Sequence, residues 1–355
     1  MKYDTIIVGA GIAGVSAAIH IKKLNKKAKI LVIDKYEFPR NKLCAGYLTS
    51  KSVSLLEELG IDITKIDYKL VKGIKIIYKN KTRLYANNHG LYCQKLVDRT
   101  VLDFELFKKL KEKNIEVIEK AKINKLNEQE SVIIINNNKY YFNNLVFSDG
   151  QAGYSTKFNS EKKKYFAMQI NFKQKKEPKI DMYFGITKKG YAWCASSGSY
   201  VNIGFCDIYN NKNDYKLMLE NFVKELGFEK ELSKNKIKGF FVPYGLKKNK
   251  IINENIYLIG DAAGAVDPLT LAGVSYALLS GKFVAKSIVN NNNKIYLKYI
   301  KKVSLKFKIL KVITNVLYNP LTMFFGIRLG GHFFKNIFAY ILDKFVLNKN
   351  SSFHE

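Results

Sequence analysis

No two cysteines in this chain are spaced as CxxC. The four present, Cys44, Cys93, Cys194 and Cys206, stand apart, so neither a zinc site nor a disulfide framework is expected. The reducing cytoplasm is the expected compartment. Acidic residues are scarce, 30 Asp and Glu against 60 Lys and Arg, which leaves a net charge of +30. Such a surface attracts phosphates, acidic lipids and nucleic acid. The joint richness in Lys, Asn, Ile and Tyr is also what an A/T-rich coding sequence produces, so charge alone names no partner. Zinc-finger spacing and an RNP-like aromatic pair are missing and the lysines are scattered, so nucleic acid is not expected. The N-terminus lacks a charged segment followed by a cleavage site. The apolar stretch 312–327 is broken by Asn315, Asn319 and Pro320 before it meets Arg328, His332 and Lys335, too interrupted for a membrane span. No internal repeat is visible.

What is there is ample material for a core. Hydrophobic residues make up 47% of 355 positions, and that length favours two intertwined domains over one. Residues 3–8 form a buried-strand pattern, glycines break it, and 12–24 read as a helix with small residues. Residues 29–33 are a second strand, completing a βαβ unit. Downstream, 51–60 and 100–113 read as helices, and 73–78, 84–85, 115–118, 132–135 and 145–147 as strands. From 160 to 244 the pattern is mostly strands rich in aromatics, with one helix near 213–226. A buried strand at 255–259 and a helix at 273–289 follow. After an Asn run at 290–293, residues 294–348 read as helical and apolar-basic.

Gly9-Ala10-Gly11-Ile12-Ala13-Gly14 fits GxGxxG between the first strand and its helix. The first glycine makes the tight turn, the second lets backbone approach a pyrophosphate, and the third lets helix and sheet pack closely. The free N–H groups and positive dipole end of that helix face the phosphates. Asp34, twenty residues beyond Gly14, ends the next strand where a carboxylate accepts ribose hydroxyls. The combination predicts a dinucleotide site. Only one such fingerprint occurs, so no second nicotinamide domain is expected.

Leu258-Ile259-Gly260-Asp261-Ala262-Ala263-Gly264, followed by Pro268, Gly273 and a helix, resembles the second FAD signature of the p-hydroxybenzoate-hydroxylase-like flavoproteins. Phe147-Ser148-Asp149-Gly150 with Ser155, and Arg99 with Leu102 and Asp103, resemble other segments of that superfamily in the same chain order. The segment Pro39-Arg40-Asn41-Lys42-Leu43-Cys44-Ala45-Gly46 is similar to the Lys-x-Cys-Gly-Gly segment of its geranylgeranyl reductase family. The resemblance spans roughly residues 1–290. It implies FAD, with Gly9, Gly11, Ala13, Gly14, Asp34, Lys35, Arg99, Ala121, Asp261, Gly273 and Val274 on the cofactor side. It also implies that Cys44, Ala45 and Gly46 lie against the flavin, with Cys44 in either a packing or a chemical role. Tyr191 and Trp193 match part of the family's substrate-lining Tyr-x-Trp-x-Phe-Pro motif, although the same alternation also suits an ordinary half-buried strand. Phe-Pro is absent, and Leu271-Ala272-Gly273 stands where Gly-Glu-Gly is usual.

The resulting expectation is an α/β protein: a Rossmann-like FAD-binding domain (1–70, 93–160, 245–290) interleaved with a smaller, mostly antiparallel β substrate domain (71–92, 161–244), plus a C-terminal helical region (291–355). Three functions are weighed, the first two implied by the resemblance and the third by the large positive charge and the altered motifs. The first is an FAD-dependent reductase that adds hydride to a carbon–carbon double bond of an isoprenoid or lipid-like substrate. The second is an aromatic hydroxylase using NAD(P)H and O2. The third is a membrane-associated flavin-binding protein with little turnover. NAD(P)H or an acidic, ferredoxin-like donor would supply electrons. No metal is expected. The basic C-terminal region suits either packing on the flavin domain or lying on an anionic membrane at its cytoplasmic face.

Overall fold

A computed structural model of the chain describes residues 1–71, 73–78, 81–86, 94–158, 164–247, 251–252 and 255–323. Cys93 and the C-terminal expectations beyond residue 323 lie outside the described residues. Among the described residues the α-helices are α1 (Ile12–Leu24), α2 (Ser50–Glu58), α3 (Arg99–Glu112), α4 (Tyr215–Glu225), α5 (Glu229–Lys234), α6 (Val274–Val289), α7 (Asn293–Leu317) and α8 (Pro320–Met323).

The first sheet is built on parallel strands in the order Ile256–Leu258, Asn138–Phe147, Lys2–Val8, Ile30–Ile33, Glu116–Ile118. Its central strands are apolar without alternation because helices cover one face and a second apolar cluster the other. Val8 pairs with Ile33 on one side and with Phe147 on the other. The chain leaves Lys2–Val8 in one direction and returns on the opposite side. The carboxyl ends of Val8 and Phe147 therefore flank a topological switch point, where open α/β sheets bind ligands. A hairpin of Ile123–Asn127 and Val132–Ile135 extends the strand Asn138–Phe147. That strand is ten residues long, whereas only its end, 145–147, is legible as an apolar run. Its first half carries exposed Asn and Lys between buried aromatics, which mutes the hydrophobic signal.

A second sheet has seven strands, in the order Lys238–Pro243, Lys164–Lys173, Tyr200–Ile208, Tyr191–Ser196, Lys179–Phe184, Gly73–Tyr78, Lys81–Ala86. Every pairing is antiparallel except Lys179–Phe184 with Gly73–Tyr78. Helix α4 covers one face, packing Leu219, Phe222 and Val223 against Ala192, Ile203 and Phe205. A short third sheet joins Tyr47–Leu48, Gln94–Val97 and Tyr68–Val71.

Helices α1 and α6 cross closely. A Cβ on Gly281 would stand 2.6 Å from the Ala13 carbonyl oxygen, and Ser16 Oγ donates to the Leu278 carbonyl at 2.7 Å. Helix α7 belongs to the same core: Tyr296, Tyr299, Ile300, Val303, Phe307 and Leu310 are buried in it. Among the described residues no helix is long and apolar enough to cross a membrane.

Candidate functional site

The site begins at the switch point. Gly9 has φ +104°, and a Cβ there would lie 2.6 Å from the Ser148 carbonyl oxygen. Ser148 closes the turn by donating from Oγ to the carbonyls of Val8 and Gly9 at 2.9 and 2.7 Å. A Cβ on Gly14 would approach the Gly9 carbonyl oxygen to 2.0 Å, so the third glycine seats α1 on the turn. Gly11 differs from both: its missing Cβ faces only Arg40 Nη2, at 3.4 Å. The second glycine thus leaves room above the start of α1, as a cradle for phosphates requires.

The helix caps identify which ends are open. Thr49, Asp98, Asp214 and Asn292 each accept a backbone N–H at the start of α2, α3, α4 and α7. Helices α1 and α6 start at Gly11 and Gly273 with no side-chain cap and no acidic residue in the first turn. Both starts lie in one neighbourhood, since a Cβ on Gly260 would stand 2.8 Å from the Ala13 Cβ and one on Gly273 would stand 3.6 Å from Asp261 Oδ1. Two long helices with uncapped N–H groups and unopposed dipoles make a place for an anion.

Buried charge points the same way. Asp103, 1% exposed, accepts from Arg99 Nε and Nη2, both at 2.9 Å, and faces Arg40 Nη1 at 3.7 Å. One carboxylate thus serves two guanidiniums. Among the described residues Arg40 Nε is buried with no hydrogen-bond partner, and the Arg40 side chain stacks over Phe38 at 4.8 Å. Burial disfavours the charged form of Arg99, but Asp103 and Cys44 outweigh it and raise its pKa. The surplus positive charge beside Gly11 is the residue-level counterpart of a pyrophosphate. A dinucleotide such as FAD fits this donor set.

The other expected positions fall as follows. Asp34 is buried and accepts from Ala10 N at 2.8 Å through Oδ2 and from Tyr36 N at 2.9 Å through Oδ1. Its carboxylate thus fixes the glycine turn while keeping lone pairs for further donors. Lys35 is exposed over the Tyr36 ring, and Ala121 N donates to the Asp34 carbonyl at 2.8 Å. Cys44 is a free thiol in hydrogen-bonding reach of Arg99, and its Sγ accepts from Gly46 N at 3.4 Å. Gly46, at φ +81°, could carry no Cβ because Val97 O would lie 2.1 Å away. Asp261 faces Lys42 Nζ at 4.0 Å. Asp149, of the Asp-Gly segment, is turned inward onto Ser155, whose N donates to it at 2.9 Å. Tyr191 and Trp193 share one face of their strand, with ring centroids 5.9 Å apart. Gly204, paired opposite Trp193, leaves room for the indole, and Trp193 Nε1 donates to Asn202 Oδ1.

The loop 267–273 before α6 is held from three sides. Asp267 Oδ1 accepts Leu269 N and Thr270 N at 2.7 and 3.2 Å. The carbonyls of the loop accept from Tyr165 (Pro268 O, 3.2 Å), Tyr191 (Thr270 O, 2.6 Å), Thr314 (Pro268 O, 3.4 Å) and Tyr318 (Leu269 O). Leu271 adopts φ +57°, the left-handed conformation for which the usual glycine is better suited. These tyrosines were not legible as a set, because they come from separate strands and a helix.

Asp267 gives a pH prediction. Burial pushes its carboxyl up from 3.8 to about 6, against the amides of Leu269 and Thr270 and the Lys306 ammonium, which pull it down. The folded form holds the proton more tightly than the unfolded one. Its contribution to stability is therefore complete below about pH 4 and lost as pH rises to about 6, on the order of 3 kcal/mol in all. Asp267→Asn is expected to flatten the stability–pH curve across that interval. A curve unchanged by the substitution, measured by urea unfolding between pH 4 and 7, contradicts it.

The family described as pyridine nucleotide-disulphide oxidoreductase matches residues 3–182. An uncharacterized protein of Methanosarcina barkeri is 30% identical over 302 residues, covering 81% of this chain and 74% of the relative. Digeranylgeranylglycerophospholipid reductase 3 of Methanosphaera stadtmanae is 29% identical over 354 residues, covering 90% and 87%. Among solved structures, a geranylgeranyl bacteriochlorophyll reductase-like protein from Thermoplasma acidophilum superposes with TM-score 0.72 at 20% identity, covering 97% of this chain and 96% of that one. At that identity the likeness is one of fold.

Proposed function

The chain belongs to the pyridine nucleotide-disulphide oxidoreductase family, and from that membership we propose that it is an FAD-dependent reductase of carbon–carbon double bonds in an isoprenoid or lipid-like substrate. The observation that carries the cofactor is the pair of uncapped starts of α1 and α6 beside the Arg40–Asp103–Arg99 cluster. The lipid comes from the Methanosphaera relative, named for reducing a digeranylgeranyl glycerophospholipid. When bound, FAD supplies the hydride.

The chain's own residues bind and orient. Gly9, Gly11, Ala13 and Gly14 with the start of α1 take the pyrophosphate, and Arg40 and Arg99 balance its charge. Asp34, flanked by Lys35 and Ala121, takes the adenosine ribose. Asp261 takes the ribitol side. Cys44, Ala45, Gly46, Gly273 and Val274 line the ring, and Tyr191 and Trp193 line the substrate. The basic surface suits a transient NAD(P)H or an acidic, ferredoxin-like donor. In the test, the photoreduced protein is mixed anaerobically with geranylgeranyl lipid. Flavin reoxidation with a saturated product is expected. No reoxidation, together with oxygen consumption stimulated by a phenol, would replace this reading with the hydroxylase.

The outer face of α7 supports peripheral attachment to an anionic membrane at the cytoplasmic face. Leu305, Ile309, Val312 and Val316 are exposed opposite the buried Val303, Phe307, Leu310 and Thr314. The exposed Lys301, Lys302 and Lys308 flank them, and the helix contains no acidic residue. Apolar side chains between lysines fit the boundary of acidic headgroups and acyl chains. Phosphatidylglycerol vesicles are expected to sediment the protein and phosphatidylcholine vesicles much less of it. Leu305→Glu with Val312→Glu is expected to reduce binding about tenfold or more while leaving flavin content intact. Equal sedimentation of the double variant would sink the attachment. So would a dimer of the wild type that the same variant dissociates, since that assigns the stripe to a second copy.

A further inference from the structure

The Tyr47 hydroxyl is buried and, among the described residues, has no hydrogen-bond partner. Tyr47 follows the Cys44-Ala45-Gly46 segment directly and opens the short strand Tyr47–Leu48, which pairs with Gln94–Val97. Its ring packs in an apolar cluster shared by the two larger parts of the fold: Val71 and Leu96 beside it, and Ile180, Ala195, Met182 and Trp193 from the seven-stranded sheet. Burial holds the phenol well above its ordinary pKa, so it is a donor and not an anion at any physiological pH. A buried hydroxyl left unpaired is destabilising relative to one that is satisfied. A phenylalanine would fill the same space without that cost. Trp193, in the same cluster, does have its N–H satisfied, by Asn202, which leaves Tyr47 as the polar group there that awaits a partner.

We propose that the Tyr47 hydroxyl donates a hydrogen bond to an oxygen of the bound substrate, so that the site selects apolar ligands carrying an uncharged acceptor oxygen, an ether or carbonyl, over plain hydrocarbons. The ligand is uncharged at that oxygen because the surroundings are apolar, and a charge there would be desolvated without a counter-charge. The inference rests on the reading that the substrate lies between the Cys44–Gly46 segment and the strand bearing Tyr191 and Trp193. It makes Tyr47 a specificity residue and assigns it no proton transfer.

Trp193 is the single tryptophan of the chain, so its emission reports on this cluster. Holoprotein and its Tyr47→Phe variant are titrated with geranylgeranyl methyl ether and with the hydrocarbon phytane, both dispersed in the same detergent. The variant is expected to bind the ether about three- to tenfold more weakly, the worth of one hydrogen bond, and phytane within twofold of wild type. Without ligand the variant is expected to melt no lower than wild type, because an unpaired hydroxyl has been removed. Equal loss of affinity for both probes assigns Tyr47 to packing and overturns the proposal, as does unchanged affinity for the ether. These outcomes are independent of turnover. Oxygen-selective binding with no flavin reoxidation leaves Tyr47 as proposed and removes the reductase reading. Reoxidation without selectivity does the reverse.

Discussion

Gly14→Val is expected to purify without flavin and to unfold at a clearly lower temperature. A Cβ at position 14 stands 2.0 Å from the Gly9 carbonyl oxygen and 2.5 Å from Ser148 Oγ. The first of these is backbone, in a turn pinned on its other side by Ser148, so α1 must lift off the sheet. Overpacking of this kind costs about 1–3 kcal/mol even where side chains can adjust, and here they cannot. Lifting α1 also carries its N–H groups away from the phosphate position and opens the contact with Gly260 and α6. Absorbance near 450 nm and thermal unfolding check both effects. Gly60→Ala is the control: Gly60 has φ +84° but nothing within 4 Å of its missing Cβ. It should lose about 1–2 kcal/mol from backbone strain and keep its flavin. A yellow Gly14→Val protein as stable as that control contradicts the packing account.

Asp103→Leu is expected to be the most destabilising single change in the charged part of the site. The carboxylate is 1% exposed and compensates Arg99 and, more distantly, Arg40. Removing one partner of a buried ion pair typically costs about 3–5 kcal/mol, because the remaining charge stays desolvated. Two observations separate this from simple loss of packing. A saturating anion, FAD or inorganic pyrophosphate, should recover more stability in the variant than in the wild type, since it supplies the missing negative charge. Adding Arg99→Met should also restore part of the loss. Urea unfolding of the apo and loaded forms measures each. Identical anion-dependent gains in the two proteins would show that the arginines do not face the ligand.

The sequence made some of this site readable and hid the rest for definite reasons. Gly9 to Gly14, Asp34 and the Gly260–Gly264 segment are local in sequence, each a short fixed spacing at a strand-to-helix turn, so spacing alone reveals them even though several of their contacts, such as Gly9 with Ser148 and Gly260 with Ala13, are distant. The fold class followed from them and from the strand-rich stretch after residue 160. The Arg40–Asp103–Arg99 cluster joins a loop to α3 across more than sixty residues, and spacing could offer only Arg99 and Asp103, one helical turn apart. The open start of α6 became informative only beside four capped helices. Tyr165, Tyr191, Thr314 and Tyr318 converge on one loop from three elements, and only the pairing of strands brings them together. The parallel pairing of Gly73–Tyr78 with Lys179–Phe184 has no sequence signal either, because register between distant strands is a property of the assembled sheet.

Helix α7 bears on where this chain can be cut. The Asn run at 290–293 looks like a natural boundary, and a designer seeking a minimal flavin domain would end there. Yet Tyr296 Oη donates to the Leu258 carbonyl at 2.5 Å, Tyr299 Oη to the Tyr276 carbonyl at 3.3 Å, and Thr314 and Tyr318 to the loop that leads into α6. A chain stopped at 290 would strip donors from the strand before Gly260, from α6 and from the loop between them. Expression boundaries, fusion points and permuted termini therefore belong after Tyr318, and the same tether would let whatever α7 rests on be felt at the cofactor.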